Sequence, residues 1–247
     1  MGEKVLVGVP TFAGDSDKRE IFFNYLSKLS YPELRFVFAT NSGLEDKKDL
    51  EAHAERVGIR IIVLLNDDEG IDRFDYIINN RNLIREYFLV SKYPWLYFLD
   101  SDVVGPLNAI EVLLKHEKKL TTGWYLGVFD SGGKPVVKPT AYAFFKEGFA
   151  RQLSIKEVLM PRFIPLAAAG LGCCLIHREI LEKINFHKPE GKGGEDAAFF
   201  KDSREICEKR LWLDTRVKYW HLKFPMGDKR NNIYDPRRYQ LKNTKTS

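Results

Sequence analysis

The sequence predicts an α/β fold with an open, mostly parallel central sheet. Its 247 residues are 44% apolar and 30% charged, an ordinary globular balance that allows one large domain or two small ones. In the first half, strand-like apolar runs alternate with segments that repeat apolar residues at helical spacing. Runs without polar alternation are typical of strands covered on both faces, and the β-α-β order predicts one sheet with right-handed crossovers.

Strands are predicted at four places in the first half, and each ends near a polar or turn residue. The predicted strands are residues 5–9, 35–39, 61–65 and 95–99. The polar residues at their ends are Thr11, Asn41, Asn66 and Asp100. Because ligands of open α/β sheets bind outside the carboxyl ends of the strands, we expect a nucleotide at this edge.

Helical spacing separates these strands, and the second half has a different pattern. The predicted helices of the first half begin near Asp17 and then cover residues 50–57, 76–91 and 107–116. The second half is predicted to contain strands 120–129 and 135–145, loop 161–172, strand 173–176, helices 178–184 and 195–209, and strand 211–220. We predict one compact domain with two parts, residues 1–118 and 119–225, followed by a basic tail, residues 226–247.

The net charge of +5 is concentrated at the C-terminal end. Residues 228–247 carry six basic and two acidic side chains, or +4, so the rest of the chain is nearly neutral. A nearly neutral body does not favour nucleic-acid binding. We expect the tail to be solvated and partly disordered, although it could touch anionic lipid or nucleic acid.

Composition favours a cytoplasmic location. No run of about 18 uncharged apolar residues predicts a spanning helix, and the first residues show no signal-peptide pattern. The three cysteines, Cys173, Cys174 and Cys207, match neither a disulfide framework nor a zinc-binding spacing. We therefore predict a reducing compartment and leave peripheral membrane contact through the basic tail open.

The strongest chemical signal is Asp100-Ser101-Asp102, directly after the apolar run 95–99. Two carboxylates at a strand end can face one site, and removing both from water is costly without a cation. A divalent hard metal that also binds phosphate oxygens resolves that repulsion. A turn or helix cap is the alternative, because Asp is favoured in both.

A second signal is Gly193-Gly194 followed by Glu195 and Asp196 at a predicted helix start. The glycines let the backbone approach a ligand, and one of the acids could act as a general base towards a hydroxyl. The alternative is structural, because acids at a helix N-terminus are stabilised by the helix dipole without any function.

His221 and Arg81 are candidates for the same site. His221 follows the last predicted strand, and it becomes informative only as a third metal ligand beside the aspartate pair. Arg81 falls within the apolar stripe of the third predicted helix. Its guanidinium then needs an anion, either a diphosphate or a strand-end carboxylate, unless it reaches solvent at the edge of the stripe.

Several short elements occur along the chain in a recognisable order. They are Val9-Pro10-Thr11, Tyr31-Pro32-Glu33, Arg81-Asn82, Leu99-Asp100-Ser101-Asp102, Gly170-Leu171-Gly172-Cys173, Gly194-Glu195-Asp196 and His221. In this order the chain resembles the GT-A-fold glycosyltransferases, especially the large family 2-like group, over about residues 4–222. The resemblance implies a three-layer α/β/α fold with a mostly parallel sheet and a smaller acceptor-side subregion.

The resemblance also implies metal-dependent transfer of a sugar from a nucleoside-diphosphate sugar to an acceptor hydroxyl. Asp100, Asp102 and His221 would hold Mn²⁺ or Mg²⁺. Asp196 would be the base that deprotonates the acceptor, with Glu195 beside it. The residues implied to bind the nucleotide sugar are Pro10, Thr11, Asn41, Arg81, Asp100, Ser101, Gly170 and Gly172.

The acceptor, the nucleotide and the stereochemistry are less closely defined. The acceptor could be a carbohydrate, a lipid-linked molecule or a protein, and no nucleic-acid partner is expected. Many relatives carry an acidic residue where this chain has Asn41, which leaves the nucleotide base open. A base on the acceptor side favours inversion, although retaining relatives share the fold.

Two alternative functions are also compatible with the sequence. Residues 100–104 also satisfy the Asp-x-Asp-x-Thr/Val motif of haloacid-dehalogenase-like phosphatases, in which Asp100 would be the nucleophile. In that family, however, the motif normally follows the first strand. A non-catalytic nucleotide-binding protein is the other alternative, and in that case the aspartate pair would be structural.

Overall fold

The fold was analysed in a computed structural model of the chain. The structure describes residues 3–67, 72–146, 149–191, 193–207 and 210–239. Lys242 and Lys245 of the predicted basic tail lie outside the described residues.

An eight-stranded sheet forms the centre of the described chain. In spatial order its strands are β11 (Phe163–Leu166), β14 (Leu211–Lys218), β6 (Leu120–Trp124), β13 (Cys173–His177), β4 (Trp95–Leu99), β1 (Val5–Thr11), β2 (Leu34–Thr40) and β3 (Ile61–Leu65). Strands β4, β1, β2 and β3 run parallel to one another, and β6 is parallel to β14. Strands β13 and β11 are antiparallel to their neighbours. The predicted mostly parallel sheet is confirmed.

Helices cover both faces of this sheet. They are α1 (Arg19–Leu26), α2 (Gly43–Arg56), α3 (Arg73–Val90), α4 (Ala109–Leu114), α5 (Ile155–Leu159), α6 (Arg178–Leu181) and α7 (Glu195–Ile206). Alternate residues of β1 contact opposite cores: Leu6 packs in the core with Ile84 of α3, whereas Val7 packs in the core with Phe22 of α1. This alternation produces the predicted three layers.

The register of the parallel strands determines where their carboxyl ends lie. Thr11 of β1 is paired with Thr40 of β2, and Thr40 is paired with Leu65 of β3. On the other side of β1, Gly8 is paired with Phe98 of β4. The ends of β1 to β4 therefore meet at one edge of the sheet.

Smaller sheets form the second half's subregion. Strands β9 (Ala141–Lys146), β10 (Phe149–Gln152) and β12 (Ala168–Ala169) make one sheet. Strand β7 (Leu126–Asp130) pairs with β8 (Pro135–Pro139), and β5 (Val103–Val104) pairs with β15 (Trp220–His221).

The predicted loop 161–172 is wrong, because it contains β11 and β12. Among the described strands, β11 pairs with β14 alone, so it lies at an edge of the large sheet. An edge strand tolerates Pro165, which has no N–H to donate to a second neighbour. The predicted strands 120–129 and 135–145 are each divided into two strands.

The expectation of a solvated tail is also wrong for part of the C-terminal segment. Two 3₁₀ helices, Lys229–Tyr234 and Pro236–Arg238, fold back onto the domain. Asn231 and Tyr234 are buried, and the Trp220 indole N–H donates to the Asn231 carbonyl at 2.9 Å. Within the described residues, no helix combines the length and the apolar character needed to cross a membrane.

Candidate active site

The Asp100-Ser101-Asp102 turn directly follows the buried strand β4. The Asp100 N–H donates to the Gly172 carbonyl at 3.2 Å, and the Val103 N–H donates to the Asp100 carbonyl at 3.3 Å. A Cβ atom at position 172 would lie 2.3 Å from Asp100 Oδ2. Glycine is therefore required at position 172 for the Asp100 carboxylate to occupy its place.

Arg81 pairs with acids from two different elements. Its side chain is 2% exposed and lies over the Phe98 ring at 5.0 Å. Arg81 Nη2 donates to Asp100 Oδ1 at 2.9 Å, and Arg81 Nε lies 3.3 Å from Glu195 Oε1. The buried guanidinium of Arg81 therefore has two anionic partners, Asp100 and Glu195, and Glu195 is the first residue of α7. Among the described residues, Arg81 Nη1 has no hydrogen-bond partner.

Asp196 follows Glu195 at the start of α7 and is partly buried. Burial and the neighbouring Glu195 charge raise the pKa of Asp196 to about 6, against the opposing effects of the Ala197 N–H and Arg81. Burial likewise raises the pKa of Asp100, and Arg81 only partly offsets this. A carboxylate with a pKa near neutrality is suited to accept a proton at physiological pH.

Asp102 pairs with His221, as the sequence analysis grouped them. The two-stranded β5–β15 sheet places His221 opposite Val103, and His221 Nε2 lies 3.0 Å from Asp102 Oδ2. His221 Nδ1 lies 2.9 Å from the Leu126 carbonyl, which can only accept. Burial disfavours a charged imidazole, but the Asp102 carboxylate outweighs that effect and raises the pKa of His221. His221 in turn holds the pKa of Asp102 below its usual value despite burial.

The predicted three-ligand metal site does not form as a ligand set in the structure. Across the residues that the structure describes, no group of three or more His, Cys, Asp or Glu side chains is placed to hold a metal ion. Asp100 is turned to Arg81, whereas Asp102 is turned to His221. Asp102 and His221 still fit a divalent cation, because Mn²⁺ and Mg²⁺ sites often combine few protein ligands with phosphate oxygens and water.

The Ser101 hydroxyl makes a hydrogen bond that the sequence did not predict. It donates to Asp15 Oδ2 at 2.7 Å, and Asp15 pairs with Lys18 Nζ at 2.5 Å. Both Asp15 and Lys18 are buried, and Lys18 also helps to lower the pKa of Asp102. A short 3₁₀ segment after β1 carries these residues, and its sequence shows no periodicity that predicts their burial.

The predicted nucleotide residues lie along the same sheet edge. Pro10 and Thr11 are buried at the end of β1, and Asn41 is partly exposed just after β2. The Asn80 side chain donates to the Thr11 carbonyl at 3.3 Å and accepts from Asn66 Nδ2 at 3.1 Å. Asn80 therefore ties α3 to β1 and β3, a role that no sequence signal indicated.

Tyr125 is buried close to Asp100, Asp196 and His221. A Cβ at Gly170 would lie 2.2 Å from the Tyr125 hydroxyl, so glycine is needed there for this ring to fit. The Tyr125 ring is edge-on to His221 at 5.2 Å. Its pKa is raised by burial, by Asp100 and by Asp196. Gly170 and Gly172 thus shape the site through Tyr125 and Asp100.

Comparison with known proteins gives structural relatives only. No family model matches the chain, and no curated protein matches it. Staphylococcus aureus TarS has a TM-score of 0.56 at 16% identity, over 87% of this chain and 36% of that one. TarS 1-349 in complex with UDP has a TM-score of 0.54 at 16% identity, over 87% of this chain and 59% of that one.

The mannosyltransferase PcManGT from Pyrobaculum calidifontis, in complex with GDP-Man and Mn²⁺, has a TM-score of 0.54 at 14% identity. The match covers 87% of this chain and 55% of PcManGT, so the chain spans roughly a third to three fifths of these relatives. Asp100 follows the fourth strand in chain order and pairs with Arg81, which argues against the phosphatase alternative. The chain has the GT-A-like fold of glycosyltransferases.

Proposed function

We propose that this protein transfers a sugar from a nucleoside-diphosphate sugar to an acceptor hydroxyl. The observation that carries the proposal is Asp196, whose pKa is raised to about 6 beside the Arg81–Asp100–Glu195 network. The network lies at the sheet edge where α/β folds bind ligands. The UDP and GDP-Man complexes of TarS 1-349 and PcManGT support a nucleotide-sugar donor.

On the donor side, Asp102 and His221 would hold Mn²⁺ or Mg²⁺, and His221 would release its Nε2 proton to do so. The bound cation would offset the charge that develops on the departing diphosphate. Lys18, which is buried near Asp102 and paired with Asp15, lies on the same side. Arg81 is too enclosed to serve mainly as a diphosphate ligand, and we assign it to Asp100 and Glu195 instead.

On the acceptor side, Asp196 accepts the proton of the attacking hydroxyl. The hydroxyl oxygen forms a bond to the anomeric carbon while the bond to the diphosphate oxygen breaks, and the nucleoside diphosphate leaves with that electron pair. A single displacement of this kind inverts the anomeric centre. Glu195 remains paired with Arg81, so it positions the network and leaves the proton to Asp196.

The substitution Asp196→Asn tests the proposal. Loss of the base is expected to lower kcat by about 10²- to 10⁴-fold. Asparagine keeps the shape of the side chain, so binding of the donor should change little. The measurement is release of nucleoside diphosphate from a panel of nucleotide sugars with Mn²⁺, together with calorimetry of donor binding.

Glu205→Gln, on the outer part of α7, is the matched control and should behave as the wild type. Loss of donor binding together with turnover in Asp196→Asn would mean that Asp196 is structural. Failure of the wild type to release nucleoside diphosphate from any donor would overturn the proposed function as a whole.

A further inference from the structure

An exposed aromatic cluster lies on the sheet of β9, β10 and β12. Its members are Phe144, Phe145 and Phe149, with Lys146 among them, and we call these four residues the aromatic tip. Phe145 is 57% exposed and Phe149 is 55% exposed, and their rings lie 6.1 Å apart. Single exposed apolar residues are ordinary, but adjacent exposed aromatic rings indicate a surface that contacts something apolar.

Two cations, Lys146 and Arg204, lie against the rings of the aromatic tip. Lys146 Nζ lies 4.2 Å from the centre of the Phe149 ring and 5.8 Å from that of Phe145. The Arg204 guanidinium lies 5.3 Å from the centre of the Phe144 ring. Residues 134–162, which include the tip, carry six basic and two acidic side chains, or +4, and are therefore a second basic segment in addition to the C-terminal one. The tip therefore combines exposed aromatic rings with a local positive charge.

This combination matches the surface of an anionic bilayer. Aromatic rings partition into the boundary between headgroups and acyl chains, while nearby Lys and Arg are attracted to anionic lipid. A protein partner would more often require a shaped groove or a broad, well-packed patch. The described residues contain no helix that could span a membrane, so the contact would be peripheral.

The aromatic tip lies on the same strand as a residue close to the candidate active site. Tyr142 lies in the same strand, β9, and is paired with Ala168 of β12, which packs against α7, the helix that carries Asp196. Phe145 follows three residues later, at a distance of about 10 Å along an extended strand. A bilayer that received the tip would hold its headgroups on the side of the domain where β9 and β12 pack against α7.

We propose that the aromatic tip docks this protein on the surface of an anionic lipid bilayer and so directs it to acceptors held in that bilayer. The docking itself needs only the tip, whereas the acceptor class rests on the proposed function. The basic C-terminal segment, which folds onto the domain, is not needed for this contact.

Flotation of the full chain with lipid vesicles tests the docking, without any nucleotide sugar present. The vesicles are phosphatidylcholine alone and phosphatidylcholine mixed with phosphatidylglycerol. The wild type should bind the anionic vesicles and bind the zwitterionic ones more weakly. Phe145→Ser/Phe149→Ser should weaken anionic binding by about tenfold or more. Both side chains are more than half exposed, so the variant should fold, which its melting temperature checks.

Val90→Ser is the matched control, because Val90 is an 84% exposed apolar residue on α3, away from the tip. It should bind vesicles as the wild type does. Equal binding by the wild type and the double variant, or no binding by the wild type, overturns the proposal. So does a wild-type dimer that the double variant converts to a monomer, since the edge strand β10 would then serve a second copy of the chain.

The acceptor class is tested separately. The two probes are one acceptor sugar presented as a long-chain alkyl glycoside in anionic vesicles and the same sugar as its water-soluble methyl glycoside. With the alkyl glycoside, the double variant should lose about tenfold in transfer. With the methyl glycoside, release of nucleoside diphosphate should be unchanged. Equal loss with both acceptors would place the tip in the chemistry and overturn the docking role. Because flotation involves no donor, its result is independent of the Asp196→Asn experiment.

Discussion

The two aspartates of the Asp100-Ser101-Asp102 turn are two residues apart, yet they occupy different electrostatic environments. Asp100 faces the guanidinium of Arg81, which is permanently charged and almost fully buried. Asp102 faces the imidazole of His221, which can lose its proton. The first environment is an ion network around a permanent charge, and the second can exchange a proton for a cation.

This difference separates structural from chemical roles within one turn. The Arg81 network joins α3, β4 and α7, so removing the guanidinium leaves two carboxylates close together in a buried site. The Asp102–His221 pair joins β15 to the turn after β4, and the two aspartate side chains are similarly exposed, at 20% for Asp100 and 24% for Asp102. The contrast therefore lies in the partner, a permanent guanidinium charge for Asp100 and a titratable imidazole for Asp102. We therefore expect changes on the Asp100 side to affect folding first and changes on the Asp102 side to affect binding first.

The largest effect is expected for Arg81→Met. Methionine keeps the apolar bulk of the side chain but leaves Asp100 and Glu195 without their cation. Breaking a buried ion pair in this way should lower the free energy of unfolding by about 3–5 kcal/mol. Urea denaturation measures the loss.

The double variant Arg81→Met/Glu195→Gln is the control for charge. Removing one of the stranded carboxylates should recover part of the lost stability, because the effects of contacting residues are not additive. The single variant Glu195→Gln is measured alongside. If the double variant loses as much unfolding free energy as the two single variants lose together, the network is not the source of the effect.

An intermediate effect on stability is expected for Asp102→Asn. Loss of the charged hydrogen bond to His221 should cost about 1.5–3 kcal/mol in unfolding free energy. Binding of a nucleoside diphosphate with Mn²⁺ should weaken by about 10- to 100-fold, which corresponds to about 1.4–2.8 kcal/mol. Calorimetry with and without Mn²⁺ measures the binding term, and equal wild-type affinity in both conditions would rule out the cation at this position.

The smallest effect is expected for Ser101→Ala, between the two aspartates. The substitution removes only the hydrogen bond to Asp15, which keeps its ion pair with Lys18. Because Asp15 keeps its ion pair, the unfolding free energy should fall by about 1.5 kcal/mol, the lower end of the range for a hydrogen bond to a charged group. Nucleotide affinity should stay close to that of the wild type. A large loss of affinity would show instead that the Ser101 hydroxyl contacts the donor.

The first half of the fold could be predicted closely because its pattern is local. The apolar runs of β1 to β4 and the helical spacing of α3 are visible along the chain, and both elements form where predicted. The helix predicted at residues 50–57 extends from Gly43 to Arg56. Its first turns are rich in charged residues, so their apolar spacing is too sparse to show a helix.

The second half could be predicted less well because its strands are short and depend on distant partners. Strand β11 exists through its pairing with β14, nearly fifty residues away, and its Pro165 predicts a loop. Strand β12 contains only Ala168 and Ala169 and is held by β9. Short segments of this kind gain their stability from pairing rather than from their own pattern.

The same division applies to the candidate site. From the sequence alone, the strand-end acids, the acids at the start of α7 and the apolar setting of Arg81 follow, because strand ends, helix starts and periodic stripes are local features. Only the tertiary structure decided that Arg81 pairs with Asp100 and Glu195 while His221 pairs with Asp102. The pairings of Arg81 with Glu195 and of His221 with Asp102 join residues more than a hundred positions apart. The pairing of Arg81 with Asp100 depends on how α3 packs against β4 and on the space that Gly172 leaves for the Asp100 carboxylate. The chemistry of a side chain determines which kind of partner stabilises it, and only the packing of the fold determines which residue is that partner.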